Sequence, residues 1–482
     1  MTEAQDGPIV FPKSDALVSA NNALPNISKI AVIGSGPCGA AITKALLAEK
    51  KFTKIDVFER RPTLGGLWNY TPLKTQIDPT SPVPSVDPNR VIEKVKVSSE
   101  EFYESPVYKF LDANVPKTLM AYNDNPFPAD DALFPTHEQI LKYIVGYSKD
   151  IEDYVQFNTS VTELVPDGEG WALTSQSSIT GEVKTGKYDA VCIAVGNYDQ
   201  PFIPEVEGLR DWNTKYPGSV IHAKSYDEPD QFKESRNILV VGNSASGADI
   251  AFQLASYLNR TIYKSVRSEN TLPAGKSDLI KDVPDLDHFD AENKTVYFKD
   301  GSSIDKVDSV IFCTGYLKSI PFLKSPHLIT DGQKIHDLFR HLIYIKNPTL
   351  AVIGLPRFVL PTRISESQGC WLARVWAGEI CLPSLKDMQK ANAETEGDER
   401  THHDLKYPKD IEYANNLNAE SRAATGDRGY QAVEWDTEQC KVRANIKPLK
   451  EAYIKYLSET HKRANTIEEL EKAGYFKFPE TF

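Results

Sequence analysis

The sequence contains no apolar run that approaches the roughly 18 residues needed to cross a lipid bilayer. Residues 1–28 are polar and acidic, and they lack the basic and apolar regions of a secretory signal. We therefore expect residues 1–28 to form a flexible N-terminal arm. Six cysteines are spread widely and form no Cys-x-x-Cys pair. This spacing predicts buried free thiols in a reducing compartment, most simply the cytoplasm.

A basic excess is also absent, because the formal net charge is −12. This balance excludes broad binding to nucleic acid and disfavours an anionic membrane surface. No Ser-His-Asp set, Cys-His pair or pair of catalytic carboxylates is recognisable. His402 and His403 could suggest a metal pair, but adjacent residues do not share a helix face and no partner ligands are apparent. We expect no metal site, and we expect the polar, acidic residues 391–404 to form an exposed loop.

The most informative segment, residues 29–68, predicts a strand, a helix and a second strand in succession. An apolar run over Ile30–Ile33 is typical of a buried parallel strand. A glycine-rich turn, Gly34-Ser35-Gly36-Pro37-Cys38-Gly39, leads into a helical pattern over residues 40–50. The second strand, residues 54–58, ends on Glu59, about twenty residues past the last glycine. Together these features form the fingerprint of a dinucleotide-binding βαβ unit.

Each part of this unit predicts a contact with a nucleotide. Gly34 allows the tight turn, Gly36 lets the backbone approach a pyrophosphate, and Gly39 lets the helix pack against the strand. The amides at the helix start would then face the phosphates. Glu59 would bind the ribose hydroxyls and repel a 2′-phosphate, which favours FAD or NAD over NADP. The following Gly65-Gly66-Leu67-Trp68 segment resembles the loop along the flavin in flavoproteins with two dinucleotide sites, which indicates FAD.

A second unit of the same kind begins near Asn237. A strand over residues 238–241 leads through the turn Gly242-Asn243-Ser244-Ala245-Ser246-Gly247 into a helix over residues 248–258. Ser244 replaces the middle glycine, but serine is small enough for a phosphate to approach. The next strand ends at Arg267 and Ser268 with no acid at its tip. An arginine there offers a charged fork to the 2′-phosphate of NADP.

The fold class that follows is α/β, with two Rossmann-like dinucleotide-binding domains. Strand ends at Val195-Gly196 and Thr314-Gly315 bracket the second unit. This arrangement predicts an NADP-binding domain over residues 206–320, inserted into an FAD-binding domain. The FAD-binding domain would consist of residues 29–205 and 321–482, and the second part would include the C-terminal helices.

Between the two units, residues 216–226 read YPGSVIHAKSY. This segment resembles the FxGxxxHxxx(Y/F) fingerprint of flavin-containing monooxygenases, with Tyr216 in place of the first phenylalanine. The related Baeyer–Villiger enzymes end this fingerprint in tryptophan, whereas Tyr226 ends it here. The chain is most similar to soluble fungal members of the family. Other matching pieces are Asn114, Phe134-Pro135, Cys313-Thr314-Gly315-Tyr316, Glu366, Gln368 and residues 372–376.

The resemblance implies a mechanism carried by the cofactor. NADPH would reduce FAD, O2 would add at flavin C4a to give a hydroperoxide, and bound NADP+ would shield it. A thiol, thioether or amine would then take the distal oxygen. Asn114 is implied as the catalytic side chain nearest this centre. We expect His222, although it is the histidine of the family's fingerprint, to be structural and to order the linker by hydrogen bonding. Two departures, Asn197 for a frequent histidine and Ala245 for a polar or aromatic residue, leave substrate choice open.

The resemblance and the two glycine turns together predict two sets of cofactor contacts. The expected FAD contacts are Gly34, Ser35, Gly36, Pro37, Cys38, Gly39, Glu59, Gly66, Leu67, Trp68, Asn114, Val161 and Gln368. The expected NADP contacts are Tyr216, Gly218, Gly242, Ser244, Ala245, Ser246, Gly247, Arg267 and Ser268.

Three other functions share features with this sequence. A Baeyer–Villiger enzyme acting on ketones is disfavoured by Tyr226. A dithiol reductase shares the two-nucleotide layout, but it needs a redox-active cysteine pair. A flavin NADPH oxidase or nucleotide-gated redox sensor stays open at this stage, as does a homodimer. The expected partners of the enzyme are O2 and a small nucleophilic substrate.

Overall fold

A computed structural model describes residues 24–268, 272–395 and 398–479. The strands in these ranges are, in chain order, β1 Lys29–Ile33, β2 Lys54–Phe58, β3 Val95–Val97, β4 Glu100–Phe102, β5 Val155–Gln156, β6 Thr159–Asp167, β7 Gly170–Ser177, β8 Val183–Tyr188, β9 Ala190–Ile193, β10 Gln200–Pro201, β11 Val220–His222, β12 Asn237–Val241, β13 Ile262–Ser265, β14 Ile280–Val283, β15 Leu286–Asp290, β16 Thr295–Phe298, β17 Ser303–Asp305, β18 Val307–Phe312, β19 Tyr316–Leu317, β20 Leu338–Phe339, β21 Ile343–Tyr344 and β22 Leu350–Val352. The helices are α1 Pro37–Glu49, α2 Lys117–Met120, α3 His137–Tyr147, α4 Leu209–Lys215, α5 Ala245–Leu258, α6 Pro361–Trp376, α7 Leu385–Thr395, α8 Lys409–Thr425, α9 Thr437–Ala444, α10 Ile446–Thr460 and α11 Ile467–Lys472.

The first sheet has seven strands in the order β20-β21-β22-β9-β1-β2-β5. Strands β22, β9, β1, β2 and β5 are parallel, and β20 and β21 extend the edge in antiparallel fashion. The chain moves from β1 to β2 on one side and later returns to β9 on the other side. The strand order therefore reverses between β1 and β9, which is where open α/β sheets bind their ligands.

The second sheet has five parallel strands in the order β11-β18-β12-β13-β14. Its order reverses between β12 and β18 in the same way. All five strands come from residues 220–312, and the first sheet is built from segments on both sides of that range. The expected α/β fold with two Rossmann-like units is therefore confirmed, whereas the domain boundaries proposed from the sequence stay predictions.

Apolar side chains bury both faces of each sheet. Helices α1 and α6 pack on one face of the first sheet. Gly369 lets the two helices approach each other closely, because a β-carbon there would lie 3.2 Å from the Ile42 Cα. A second cluster around Trp171 and Leu173 covers the other face. Helices α10 and α11 bury Leu449 and Leu470 together with Phe134.

Several expectations about element bounds were wrong. Helices α1 and α5 each begin three residues earlier than predicted, at Pro37 and Ala245, so the last glycine of each turn lies inside the helix. Residues 391–395 belong to α7 and not to a loop, because this helix continues to Thr395.

The expected N-terminal arm lies mostly outside the described residues, since the description begins at residue 24. Ile27 is buried in the core, and the Ser28 backbone N–H donates to the Asp189 carboxylate at 2.9 Å. No helix among the described residues combines the length and apolar character that crossing a membrane requires.

Candidate cofactor and active site

The first glycine turn lies at the carboxyl end of β1, beside β9. Gly34 has a φ of +105°, and a β-carbon there would lie 2.6 Å from the Ala194 carbonyl oxygen. At Gly39 a β-carbon would lie 1.9 Å from the Gly34 carbonyl oxygen. Only glycine fits at either position, because backbone atoms block any side chain. The turn thus brings the start of α1, with its unpaired backbone N–H groups, to the point where the strand order reverses.

Gly36 faces a second glycine turn across a narrow gap. A β-carbon at Gly36 would lie 3.5 Å from the Gly66 Cα, which is an ordinary contact distance, and Gly36 has no positive φ. The protein alone therefore has room for a methyl group there. A ligand that approaches the backbone would explain a glycine at position 36. This geometry fits a pyrophosphate of FAD that lies along the backbone at Gly36.

Glu59 is fixed at the end of β2 by three donors. Its Oε2 accepts hydrogen bonds from the Ser35 backbone N–H and the Ser35 hydroxyl, both at 2.9 Å. Its Oε1 accepts from the Arg61 N–H at 2.9 Å. Each carboxylate oxygen keeps further acceptor capacity, as two ribose hydroxyls require. Ser35 therefore acts by orienting Glu59, a role that the sequence pattern did not indicate.

The remaining expected FAD contacts occupy different surroundings. Gln368 is fully buried; its Oε1 accepts from the Gly354 N–H and its Nε2 donates to the Tyr413 hydroxyl. Pro37 is the first residue of α1. The backbone of Leu67 accepts a hydrogen bond from the Ser105 hydroxyl, and Trp68 packs on the cluster around Ile140. Val161 lies in β6 and packs on the cluster around Trp171.

Cys38 is a thiol inside the first turn. Burial raises its pKa to about 11, against a weaker opposite effect of the Ser365 hydrogen bond. A thiol with such a pKa is a poor nucleophile at neutral pH. All six cysteines are free thiols in the structure.

Asn114 follows Ala113, a residue whose backbone N–H and carbonyl are both hydrogen-bonded. The Ala113 N–H donates to the Pro135 carbonyl at 2.8 Å, and the buried Lys450 Nζ donates to the Ala113 carbonyl at 2.7 Å. Within residues 24–268, 272–395 and 398–479, no hydrogen bond engages the Asn114 amide itself. The segment is thus fixed, while the half-buried amide keeps its donors and acceptor for a ligand.

The second glycine turn repeats the geometry of the first. Gly242 has a φ of +115°, and a β-carbon there would lie 2.6 Å from the Cys313 carbonyl oxygen. A β-carbon at Gly247 would lie 2.1 Å from the Gly242 carbonyl oxygen. Ser244 precedes α5, and its hydroxyl donates to the Cys313 carbonyl at 3.3 Å. Ala245 and Ser246 form the first turn of the helix. Ser244, which replaces the middle glycine, therefore leaves the geometry of the turn intact.

The tip of β13 lies beside this second turn. The Asn243 amide donates to the Ser268 carbonyl at 3.0 Å, which ties the strand end to the turn, and Arg267 is exposed there. The other two expected NADP contacts belong to the segment before β11. The Tyr216 hydroxyl donates to the Ala291 carbonyl at 3.0 Å, and Gly218 has a φ of +80° with open space around it.

His222 has both ring nitrogens engaged. Its Nδ1 accepts from the Lys224 N–H at 3.1 Å, so its Nε2 carries the proton and donates to the Gly315 carbonyl at 2.9 Å. Burial lowers its pKa to about 3, with the bond to Gly315 opposing. These bonds fit the structural role expected for His222.

The histidine pair is not where the sequence suggested. His402 and His403 are buried, and His341 joins them, with candidate ligand atoms within 4.8 Å of one another. The expectation of an exposed pair without further histidines was wrong, because His341 is distant in sequence. The Ile335 N–H donates to His403 Nε2 at 3.2 Å, so His403 Nδ1 carries the proton and donates to His341 Nδ1 at 3.1 Å. Both ring nitrogens of His403 are thus engaged by the protein.

The chain was compared with known families and structures. A model of the flavin-binding monooxygenase-like family matches residues 91–273 and 279–419, and a model of the NAD(P)-binding Rossmann-like domain matches residues 32–78. The chain is 33% identical over 383 residues to flavin-containing monooxygenase FMO GS-OX3 of Arabidopsis thaliana, covering 76% of this chain and 77% of that protein. It is 28% identical over 439 residues to flavin-containing monooxygenase ustF2 of Aspergillus flavus, covering 77% and 87%.

Solved structures show the same fold. An S-allyl-L-cysteine S-oxygenase from Allium sativum superposes with a TM-score of 0.72 at 24% identity, covering 93% of this chain and 98% of that one. A cyclohexanone monooxygenase superposes with a TM-score of 0.53 at 15% identity, covering 84% and 99%.

Proposed function

Because the chain belongs to the flavin-binding monooxygenase-like family and is an FAD-dependent oxidoreductase, we propose that it uses NADPH and O2 to oxygenate a soft nucleophile. FAD and NADPH are its cofactors. The proposed substrates are thiols, thioethers or amines. Bound FAD, once reduced, supplies the activation of O2.

The observation that carries this proposal is the repeated turn geometry. A β-carbon at Gly34 would lie 2.6 Å from the Ala194 carbonyl oxygen, and a β-carbon at Gly242 would lie 2.6 Å from the Cys313 carbonyl oxygen. Each glycine lies where its sheet reverses strand order. Two dinucleotides can therefore bind at equivalent places on two sheets. Glu59, whose negative charge would repel a 2′-phosphate, suits the ribose of FAD, and Arg267 suits the 2′-phosphate of NADPH.

The residues of the chain have separate tasks in this proposal. The first amides of α1 and the backbone at Gly36 hold the FAD pyrophosphate, and Glu59 holds its ribose. The Asn114 amide, which has no hydrogen-bond partner among the described residues, donates into the reaction site. A preorganised donor of this kind stabilises charge that develops during the reaction.

The substrate class rests on two observations. The fingerprint ends in Tyr226, which is fully buried and donates its hydroxyl to Gln253 Oε1 at 3.0 Å, rather than in the tryptophan of Baeyer–Villiger enzymes. The S-oxygenase from Allium sativum is named for a thioether, S-allyl-L-cysteine, and this similarity supports testing thioethers first among the candidates. The likeness to cyclohexanone monooxygenase, at 15% identity, concerns the fold alone.

A substrate panel tests the proposal. NADPH oxidation and O2 uptake are measured with a thioether, a thiol, a tertiary amine and a cyclic ketone, and each product is identified. We expect sulfoxide, oxidised thiol or N-oxide in amounts that match the NADPH consumed, and no lactone. Lactone formation, or peroxide as the sole product with every compound, would contradict the proposed substrate class.

A further inference from the structure

We propose that Asp199 is a positioning residue that holds the FAD-binding and NADP-binding units at the orientation needed for hydride transfer. This inference rests on the proposed function, because it concerns the step in which NADPH reduces FAD. It assigns a role to a charged group of three residues, Arg60, Asp199 and Lys224, which we call the junction triad.

The two connections between the sheets are joined to each other. Strand β10 in the outgoing connection pairs with β19 in the returning connection in antiparallel fashion. The Phe202 N–H donates to the Gly315 carbonyl at 3.0 Å, and the Thr314 hydroxyl donates to the Phe202 carbonyl. The two connections therefore form one unit. Side chains that bind this unit to each sheet set the angle between the sheets.

Asp199 precedes β10 directly and uses a different carboxylate oxygen for each unit. Its Oδ2 lies 2.8 Å from the Arg60 Nη1, and Arg60 follows Glu59, the residue proposed to bind the FAD ribose. Its Oδ1 lies 3.1 Å from the Lys224 Nζ, which also donates to the Asp199 carbonyl oxygen at 2.7 Å. Lys224 belongs to the segment after β11 of the second sheet. One side chain thus links the two nucleotide sites.

Burial of its lysine makes the triad different from surface ion pairs. The Lys224 side chain is 2% exposed, whereas the side chains of Arg60 and Asp199 are each 30% exposed. Burial lowers the pKa of Lys224, and Asp199 partly opposes this effect. Burial alone would raise the pKa of Asp199, but Arg60 and Lys224 together hold it well below its ordinary value. A buried ion pair is strongly sensitive to the loss of one partner, because the other charge is left without compensation.

The triad is also tied to the returning connection. The Lys224 backbone N–H donates to His222 Nδ1, and His222 Nε2 donates to the Gly315 carbonyl. On the first sheet, Asn197 Nδ2 donates to the Gly354 carbonyl at 2.7 Å, and the Lys318 Nζ donates to Asn197 Oδ1 at 2.9 Å. Both ends of the junction are therefore fixed. Asp199 forms the ion pairs that link them, one with Arg60 and one with Lys224.

A positioning role and a merely stabilising role differ in their kinetic effects. Hydride transfer depends steeply on geometry, and a displacement of about 1 Å can slow such a step about 100-fold. Loss of Asp199 should therefore lower the limiting rate of flavin reduction at saturating NADPH. The affinity for NADPH should change little, because no member of the triad lies in the second glycine turn. A stabilising role alone would lower the melting temperature and leave the limiting rate unchanged.

The experiment is anaerobic rapid mixing of the FAD-loaded Asp199→Asn variant with NADPH. We expect the limiting rate of flavin reduction to fall about 10- to 100-fold, with normal FAD content and normal reduction by dithionite. The control is Glu205→Gln, which breaks the exposed Glu205–Arg210 pair in the same connection, with side chains 56% and 67% exposed. This control should reduce at the wild-type rate.

If Asp199→Asn does not fold because Lys224 is left charged, the double variant Asp199→Asn/Lys224→Met removes that charge and is measured instead. A wild-type limiting rate in either folded variant would overturn the positioning role. A wild-type enzyme whose flavin NADPH does not reduce would instead overturn the proposed function, so the two failures are distinguishable.

Discussion

Gly36 and Gly39 lie three residues apart in one turn, yet a side chain would meet a different obstacle at each. At Gly39 the obstacle is the protein backbone, because a β-carbon would lie 1.9 Å from the Gly34 carbonyl oxygen. At Gly36 a β-carbon would lie 3.5 Å from the Gly66 Cα, the nearest neighbouring atom. Gly36 thus separates the requirement of the cofactor from the requirement of the fold.

We therefore expect Gly36→Ala to fold normally but to bind FAD about 10- to 100-fold more weakly, because overpacking against a ligand costs about 1–3 kcal/mol. FAD retention and thermal unfolding of the apoprotein measure the two effects. Gly146→Ala is the control, since no atom lies within 4 Å of a β-carbon there and alanine favours helix α3. Unchanged FAD affinity in Gly36→Ala would place the pyrophosphate elsewhere.

Arg267 is proposed to distinguish NADPH from NADH. A hydrogen bond to a charged group contributes about 1.5–3 kcal/mol. We expect Arg267→Ala to weaken NADPH binding about 10- to 100-fold and to leave NADH nearly unchanged, as measured by coenzyme titration. Equal losses for both coenzymes would show that Arg267 does not contact the 2′-phosphate.

Asn114 is proposed to act after flavin reduction. We expect Asn114→Ala to retain FAD and to accept electrons from NADPH, but to release hydrogen peroxide in place of oxygenated substrate. Loss of one preorganised donor has cost about 2.7–4 kcal/mol in other chemistry. Peroxide and product are measured together. A variant that still converts each NADPH into one oxygenated product would remove Asn114 from the active site.

At the level of secondary structure elements, the two βαβ units were predictable because their signals are local. Strand, glycine turn and helix lie within about 30 residues, so periodicity and turn chemistry determine them together. The helix starts were missed by three residues because each glycine motif was assigned to the turn up to its last glycine, Gly39 or Gly247, which lies inside the helix. Helix α7 was missed because its polar surface gives no apolar stripe, and only Met388 is buried.

The site was predictable only in part for a related reason. The glycine turns and Glu59 follow from one segment of sequence each. Asp199, Lys224 and Arg60 come from three segments, and the histidines at 341 and 403 are 62 residues apart. No periodicity joins such residues, since the tertiary fold alone brings them together.

The histidine cluster connects the β20–β21 loop with the segment before α8, and it predicts a pH dependence. Burial, reinforced by His402, lowers the pKa of His341 from 6.5 to about 3. The folded state therefore keeps His341 neutral, and this contribution is present above pH 6.5 and is lost as the pH falls towards 3. His402 and His403 lie beside it, and burial lowers the pKa of His403 too.

His341→Asn should remove this acid sensitivity. Asparagine tolerates the left-handed backbone at this position, where φ is 53°, and its amide oxygen can accept the His403 proton. As the pH falls from about 6 to about 4, we expect the free energy of unfolding of the wild type to decrease by about 1.4 kcal/mol per pH unit relative to that of the variant. Urea unfolding at several pH values measures the slope. Parallel curves would show that His341 is already protonated in the folded protein.

At the scale of the whole molecule, the two proposed nucleotide sites lie on two sheets whose connections are joined by β10, β19 and the junction triad. In the proposed function, the FAD unit holds its cofactor through its turns, Glu59 and Gln368, which belong to the first sheet or to the elements packed on it. Flavin reduction is proposed to require the second unit at the right angle. Oxygenation then requires a site that donates a hydrogen bond and excludes water.

Transfer of one oxygen atom from O2 to the substrate is the central claim, and isotope labelling tests it most directly. The FAD-loaded enzyme is supplied with NADPH, a thioether and 18O2, and the product is analysed by mass spectrometry. We expect a sulfoxide that carries one 18O atom, in an amount equal to the NADPH consumed. A sulfoxide whose oxygen comes from water, or NADPH consumption that yields only labelled hydrogen peroxide, would contradict it.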